Sequence, residues 1–145
     1  LLHNKGKEYY QNILDGLNAL HGYDGWFTTH YGGDEKMGEK MPFQKKNTRK
    51  LDAIREKIEE LKLDDIDKAV IITSLLLALD SVDSTLGHFS SYLSKWSDRS
   101  YSDLILKLPD LKKTEGKHRV FREDIFEGSN TILLQSKRTY STLNE

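Results

Sequence analysis

The chain of 145 residues contains no cysteine, which excludes disulfides, thiol nucleophiles and cysteine-ligated metals and fits a reducing compartment. Neither sign of charge is in excess. The 22 Lys and Arg residues stand against 23 Asp and Glu, so no global field draws the molecule to nucleic acid or membrane, and any electrostatic function rests on local patches. No apolar run approaches the roughly 20 residues that span a bilayer. The stretch Leu75 to Leu79 is hemmed in by Asp64, Asp67, Asp80 and Asp83. The opening Leu1-Leu2-His3-Asn4-Lys5-Gly6-Lys7 lacks the apolar core of a signal peptide, so a cytosolic address is expected. It starts with Leu rather than Met, as a processed or excised piece does.

Several chemistries have nothing to stand on. The five histidines, His3, His21, His30, His88 and His118, form no i, i+4 pair of the kind that holds zinc on a helix. There is no Gly-x-Ser-x-Gly elbow and no Gly-x-x-x-x-Gly-Lys phosphate loop, and Gly32-Gly33 alone is a turn signal. Internal repeats and low-complexity tracts are also absent. The length suits one domain with a real core, or a piece of a larger one.

What the sequence does have is a helical centre over residues 48–96. Leu51, Ile54, Ile58 and Leu61 recur at three- and four-residue steps and share one helix face, leaving Arg55, Glu56, Lys57 and Glu59 in water. From Ile66 to Leu79 a second helix has little polar face, which predicts a place in the middle of a core. Residues 8–21 predict a further helix, with Tyr10, Ile13, Leu14, Leu17 and Leu20 on one side and Gly22 ending it. Val82 to Trp96 is expected to continue as helix through Leu86, Phe89 and Leu93.

Between these lies a long irregular stretch, 22–47, punctuated by Gly22, Gly25, Gly32, Gly33, Gly38 and Pro42 among Tyr23, Trp26, Phe27, Tyr31 and Phe43. A loop of that length in a compact domain is usually functional or disordered. From Glu35 to Lys50, six cations (Lys36, Lys40, Lys45, Lys46, Arg49, Lys50) face two acids, Glu35 and Glu39. Cations for phosphates, with rings that stack on bases, are what nucleic-acid contact needs. The alternative is that Trp26, Phe27 and Phe43 cap the helical core while the lysines are merely solvated. Asp80 likewise has two readings: it faces water or pairs with an arginine such as Arg55, or it lines a cleft with Ser84, Thr85 and His88.

Beyond a turn at Ser97-Asp98-Arg99-Ser100, Leu104 to Leu111 is a short apolar segment interrupted by Pro109, and a charged connector leads to two predicted strands, at 118–124 and 131–134. Asp124 then falls at a strand's carboxyl end, where open α/β sheets place ligand-binding residues.

Four blocks carry a resemblance. Lys50-Leu51-Asp52-Ala53-Ile54-Arg55-Glu56-Lys57-Ile58-Glu59-Glu60, Ser74-Leu75-Leu76-Leu77-Ala78-Leu79-Asp80-Ser81-Val82, Gly87-His88-Phe89-Ser90-Ser91-Tyr92-Leu93-Ser94-Lys95-Trp96, and His118 to Glu127 resemble successive blocks of bacterial adenine-specific DNA methyltransferases of restriction and modification systems. The resemblance covers about residues 8–127. It implies a Rossmann-like domain binding S-adenosylmethionine, with a helical insertion that holds DNA while a flipped adenine is methylated on its exocyclic amine. It makes Asp124 the residue that receives the cofactor's adenosine moiety, a position where an Asp is otherwise commonly a helix cap.

The departures from that pattern bear on activity. Nothing before residue 22 supplies a Phe-x-Gly-x-Gly cofactor loop. With only Pro42 and Pro109 present, an Asp-Pro-Pro-Tyr tetrapeptide is absent, although Arg138-Thr139-Tyr140-Ser141 resembles the segment on its carboxyl side in the family. Gln135 retains an acceptor but not the proline-fixed geometry, and an ångström of misplacement costs on the order of a hundredfold in rate. The Ser84-Thr85 pair stands where relatives tend to carry Asn-Thr.

The expectation is therefore a mainly α chain with a short α/β remnant. Residues 1–111 would form a helical DNA-facing region, and 112–145 a partial methyltransferase sheet and tail. Lys45, Lys46, Arg49 and Lys50 would meet phosphates of duplex DNA, and Trp26, Phe27 and Tyr31 its bases or grooves. Asp124 is the cofactor remnant, no metal is expected, and methyl transfer by this chain alone is not expected unless a complementary methyltransferase chain supplies what is missing. The rival expectation is a noncatalytic helical module that binds another protein.

Overall fold

The computed structural model of the chain describes residues 5–34, 40–88 and 91–111. These lie in the first of two compact units, Leu1–Lys113; the second, Thr114–Glu145, lies outside the described residues, and with it both predicted strands.

Helix α1, Lys7–Asn18, buries Tyr10, Leu14 and Leu17, the stripe predicted from their spacing. It ends before Gly22. The carbonyls of Asn18 and Leu20 both accept from the Lys50 ammonium, which closes the helix terminus with a positive charge. Helix α3, Lys45–Glu60, starts three residues before the predicted helical centre at 48 and buries Leu51, Ile54 and Ile58, while Leu61 just past its end is exposed. Lys62, at φ 46°, turns the chain into α4, Asp65–Asp80, whose first turn is capped by Asp64 accepting from the Asp67 N–H at 2.8 Å. Asp67 is itself buried and accepts a 2.7 Å hydrogen bond from the Tyr10 hydroxyl, locking α4 to α1. Tyr10, Leu14, Leu17, Ile54, Ile58, Val70, Ile71 and Leu75 form one core with Phe43, Val82, Leu104, Leu106 and Leu111.

The segment after residue 102 forms neither helix nor strand through Leu111, and two asparagines supply partners to its backbone. Asn18 donates to the Leu106 carbonyl (2.9 Å) and accepts from the Leu106 N–H (2.8 Å). Asn47 does the same for the Ser102 carbonyl (2.9 Å) and the Leu104 N–H (3.0 Å). Each amide thereby satisfies backbone groups next to buried leucines that would otherwise be left without partners.

Two expectations are corrected. Residues 82–96 do not continue as helix: α4 ends at Ser81, whose hydroxyl bonds back to the Ala78 carbonyl, and the chain becomes an antiparallel hairpin of β3, Thr85–His88, and β4, Ser91–Tyr92. Gly87 takes φ 99°, a conformation open to glycine and poor for a helix interior. Ser84 donates its N–H to Pro42 and accepts from the Leu93 N–H, so its backbone is used up by tertiary contacts instead of a helical ladder. The 22–47 stretch is also not wholly irregular. It contains helix α2, Trp26–Tyr31, and a parallel pair, β1 (Gly32–Gly33) with β2 (Phe43–Gln44), registered Gly32 to Phe43 and Gly33 to Gln44. The described residues are thus mainly helical with very little sheet, and none of their helices is long and apolar enough to cross a membrane.

Candidate nucleic-acid interface

Helix α2 is six residues long and has no capping side chain of its own, so on local grounds it is not stable. It is held from α3. The buried Asp52 carboxylate accepts from the N–H groups of Gly25 (3.0 Å), Phe27 (2.8 Å) and Thr28 (3.0 Å) and from the Thr28 hydroxyl (2.6 Å). These are the donors a helix leaves unpaired at its start, and a carboxylate there also meets the positive end of the helix dipole. Gly25 is required by proximity: a Cβ on it would lie 2.5 Å from Asp52 Cγ. The start of α2 is accordingly filled by a protein carboxylate, leaving no place there for a phosphate.

The helix so fixed carries an aromatic cluster. Trp26 is 58% exposed. Its ring stacks on His30 (centroids 4.4 Å apart, planes 24° from parallel) and meets Phe27 edge-on at 5.1 Å. His30 Nδ1 lies 2.7 Å from the Trp26 carbonyl, which fixes the imidazole against the indole. Phe27 and Tyr31 are half-buried and pack against the core. Of the three aromatics predicted from the sequence, then, Trp26 is the one presented to solvent, with His30 as an unanticipated partner one helical turn away.

The four predicted cations do not form a free patch. Arg49 makes a two-pronged ion pair with Asp24, with Nη2 3.0 Å from Oδ2, and Lys45 stands 3.9 Å from the same carboxylate. Lys46 donates to Asp103 (2.7 Å) and to the Tyr101 carbonyl (2.6 Å). Lys50, half-buried, spends its ammonium on the end of α1, and burial pushes its pKa down. The hydrogen bond from Arg49 holds the Asp24 carboxyl below the usual aspartate range, and Arg49 is raised in turn by that bond and more weakly by nearby Asp34. Tyr23 closes the same edge, its hydroxyl donating to Glu56 at 3.0 Å, a bond that raises its pKa. Lys45, Lys46 and Arg49 remain at the surface in exposed pairs, which are weak and exchangeable.

A second polar cluster replaces the one suggested around Asp80. Asp80 is exposed and Arg55 pairs with Glu59, so the two do not meet. The buried carboxylate is Asp83, which takes the Thr85 hydroxyl and lies in charge contact with Arg99. Arg99 Nε and the Ser97 hydroxyl both donate to the Asp83 carbonyl, at 3.0 and 2.8 Å. His88 lies on the exposed hairpin. This network ties the hairpin to the 3₁₀ turn Asp98–Tyr101 and serves the fold. Among the described residues no group of three or more acids and histidines is disposed to hold a metal. Asp124 lies outside the described residues.

The sequence comparisons bear on this arrangement. This chain is similar to stretches of two type II modification enzymes. Over 85 residues, 56% of the chain, it is 32% identical to the modification methylase StsI of Streptococcus sanguinis, covering 13% of that protein. Over 123 residues, 81% of the chain, it is 28% identical to the type II methyltransferase M.CviAII of Paramecium bursaria Chlorella virus 1, covering 37% of it. The chain thus spans well under half the length of either relative. No family model matches it, and no solved structure does. The similarity that the four sequence blocks suggest is to DNA methyltransferases, and the two proteins the comparisons find are methyltransferases.

Asp52, Asp24 and His30 are functional candidates that the sequence alone does not single out. Asp52 sits inside the Leu-Asp-Ala-Ile-Arg block, in a run of α3 where Leu51, Asp52, Ala53 and Ile54 are all buried, so that the carboxylate's own side of the helix is covered too. A carboxylate one residue from a buried leucine is the available signal that something donates to it.

Proposed function

We propose that residues 5–111 are the DNA-facing helical module of an adenine-specific DNA methyltransferase, and that the chain by itself positions duplex DNA without transferring a methyl group. The observation that carries this reading is the rigid α2, with its exposed Trp26–His30 stack beside Lys45 and Arg49, in a chain similar to type II methyltransferases. Lys45, Lys46 and Arg49 exchange their carboxylate partners for phosphates, which sets position and gives salt-dependent affinity. Trp26 stacks on or wedges against a base, with Phe27 and Tyr31 as the wall behind it. Lys50 supports the site from beneath by holding α1 to α3. In this reading the chain works in the cytosol, where such DNA is found.

The described residues do not fit S-adenosylmethionine. They provide no glycine-rich turn from a strand into a helix, since β2 passes straight into α3 between Gln44 and Lys45. No step is therefore assigned to the cofactor here; Asp124, in a partial Rossmann-like sheet formed from 112–145, is the one residue proposed to meet it. A complementary methyltransferase chain is the proposed source of the missing Gly-rich loop and Asp-Pro-Pro-Tyr motif. The test is fluorescence anisotropy of a labelled duplex at low salt. Binding by the wild type that falls steeply with added salt, and that drops at least tenfold in a Lys45→Ala/Lys46→Ala/Arg49→Ala variant, supports the reading; no binding, or binding indifferent to those changes, refutes it.

A further inference from the structure

Four rings meet on α2. His30 lies against the Trp26 indole with centroids 4.4 Å apart and planes 24° from parallel, Phe27 meets it edge-on at 5.1 Å, and Tyr31 stands tilted at 5.8 Å. Trp26 is nonetheless 58% exposed, so the indole face opposite His30 is open to solvent. That face is also held still. The Trp26 carbonyl can only accept a hydrogen bond, so His30 Nδ1, 2.7 Å away, carries the proton that fixes the imidazole behind the indole. Asp52 fixes the backbone of α2 from α3 through the amides of Gly25, Phe27 and Thr28. A flat apolar ring that is rigid before binding loses little freedom when a second ring stacks on it.

We propose that the open indole face takes an unpaired base, so that the chain binds single-stranded or locally opened DNA more tightly than the intact duplex; this rests on the DNA-facing role proposed above and specifies its ligand. In a duplex both faces of each base are already stacked on neighbours. A ring on a six-residue helix reaches a base face only where a base has left the stack, and the stacking gained on one indole is of the same order as the cost of unpairing one base. A single strand spares that cost. The charges agree. Lys45 and Arg49, gathered on Asp24 two residues before Trp26, supply cations for the phosphates of one strand. Asp34 lies near enough to act on Arg49, and Tyr23 holds Glu56 along the same edge. The phosphate density of a duplex, about twice that of one strand, therefore gains less there than on a purely basic surface.

Fluorescence anisotropy of the full chain with labelled DNA at low salt tests this. The probes are a short single strand, its matched duplex, the same duplex with one central mismatch, and an abasic strand of equal length. The single strand should bind about fivefold or more tighter than the matched duplex, with the mismatched duplex between them. The abasic strand, with the same phosphates and no base to stack, should lose that advantage. Trp26→Ala, at an exposed position, should keep the helical content, lower single-strand affinity about tenfold and leave strand and duplex within about twofold of each other. His30→Ala should cost about threefold, and His30→Phe, which restores a ring behind the indole, should recover it. In a Trp96→Phe background Trp26 is the remaining indole, and its emission should be quenched by the single strand and not by the abasic one. Equal affinity for strand and duplex, an abasic strand bound as tightly as the normal one, or a preference that survives Trp26→Ala overturns the inference. If the Lys45→Ala/Lys46→Ala/Arg49→Ala variant then still loses duplex binding, the DNA-facing role stands without it. Absence of binding to every probe overturns both.

Discussion

Asp52 and Thr28, 24 residues apart in the chain, are joined twice through a single oxygen: Oδ2 accepts from the Thr28 N–H at 3.0 Å and from its hydroxyl at 2.6 Å. With the Gly25 and Phe27 amides on the same carboxylate, this contact makes a six-residue helix out of a segment that has no strong helical pattern of its own. The aromatic surface therefore depends on one acidic side chain of α3.

Removing that side chain should dissolve α2 while sparing the bundle. Asp52→Ala is expected to cost about 3 kcal/mol, since it leaves several buried backbone donors without an acceptor. Hydrogen exchange should show the Phe27 and Thr28 amides losing protection while Ile54 and Val70 keep theirs. Gly25→Ala should act in the same direction, because its new methyl group displaces the carboxylate. Retained protection at Phe27 and Thr28 in Asp52→Ala would show that α2 stands without its brace.

Asp24 acts as a brake on DNA binding in this account. It occupies Arg49 and draws Lys45, the cations assigned to phosphate. Asp24→Asn should raise duplex affinity about threefold at low salt, a modest change because exposed pairs are weak, and the gain should shrink as salt screens both sites. The pH dependence comes from the depressed Asp24 carboxyl. Its contribution to folding is present above the ordinary aspartate range and is lost as pH falls through the depressed value, so the brake remains engaged at neutral pH. Wild type should approach the Asn variant's affinity only on strong acidification. Equal affinities at pH 7 would remove Asp24 from the account.

The asparagine clamps predict a coupling. Asn18→Ala and Asn47→Ala each remove a matched donor and acceptor from the 102–106 segment and should each destabilise by about 1–2 kcal/mol in urea melts. Because both hold one short segment, the double variant should cost less than their sum. Strict additivity would mean that the two clamps act on independent pieces of structure.

The parts of the fold that are legible in the sequence are those where one helix face meets the core. Leu51, Ile54 and Ile58 on α3, and Tyr10, Leu14 and Leu17 on α1, are spaced at the helical period, and that period survives folding because burial of the stripe is what stabilises the helix. Helix α2 is not legible, because its cap is supplied by a residue more than twenty positions away. The hairpin at 85–92 reads as helix because Leu86, Phe89 and Leu93 imitate helical spacing, while the backbone of Ser84 is claimed by Pro42 and Leu93. The basic stretch is visible as a count of charges. Its pairing with Asp24 and Asp103, and the diversion of Lys50 to the end of α1, depend on three-dimensional neighbours that no local window contains.

The central claim, that α2 and the start of α3 are the surface that meets DNA, is tested most directly by tracking backbone amide shifts of the isotope-labelled chain during titration with a short duplex at low salt. The account predicts that the largest changes fall at residues 23–31 and 45–49 and disappear in a Trp26→Ala variant that keeps the α1 and α4 resonances in place. Changes confined to the outer face of α4 or to the 102–111 segment, with Trp26 and Arg49 unmoved, would contradict it.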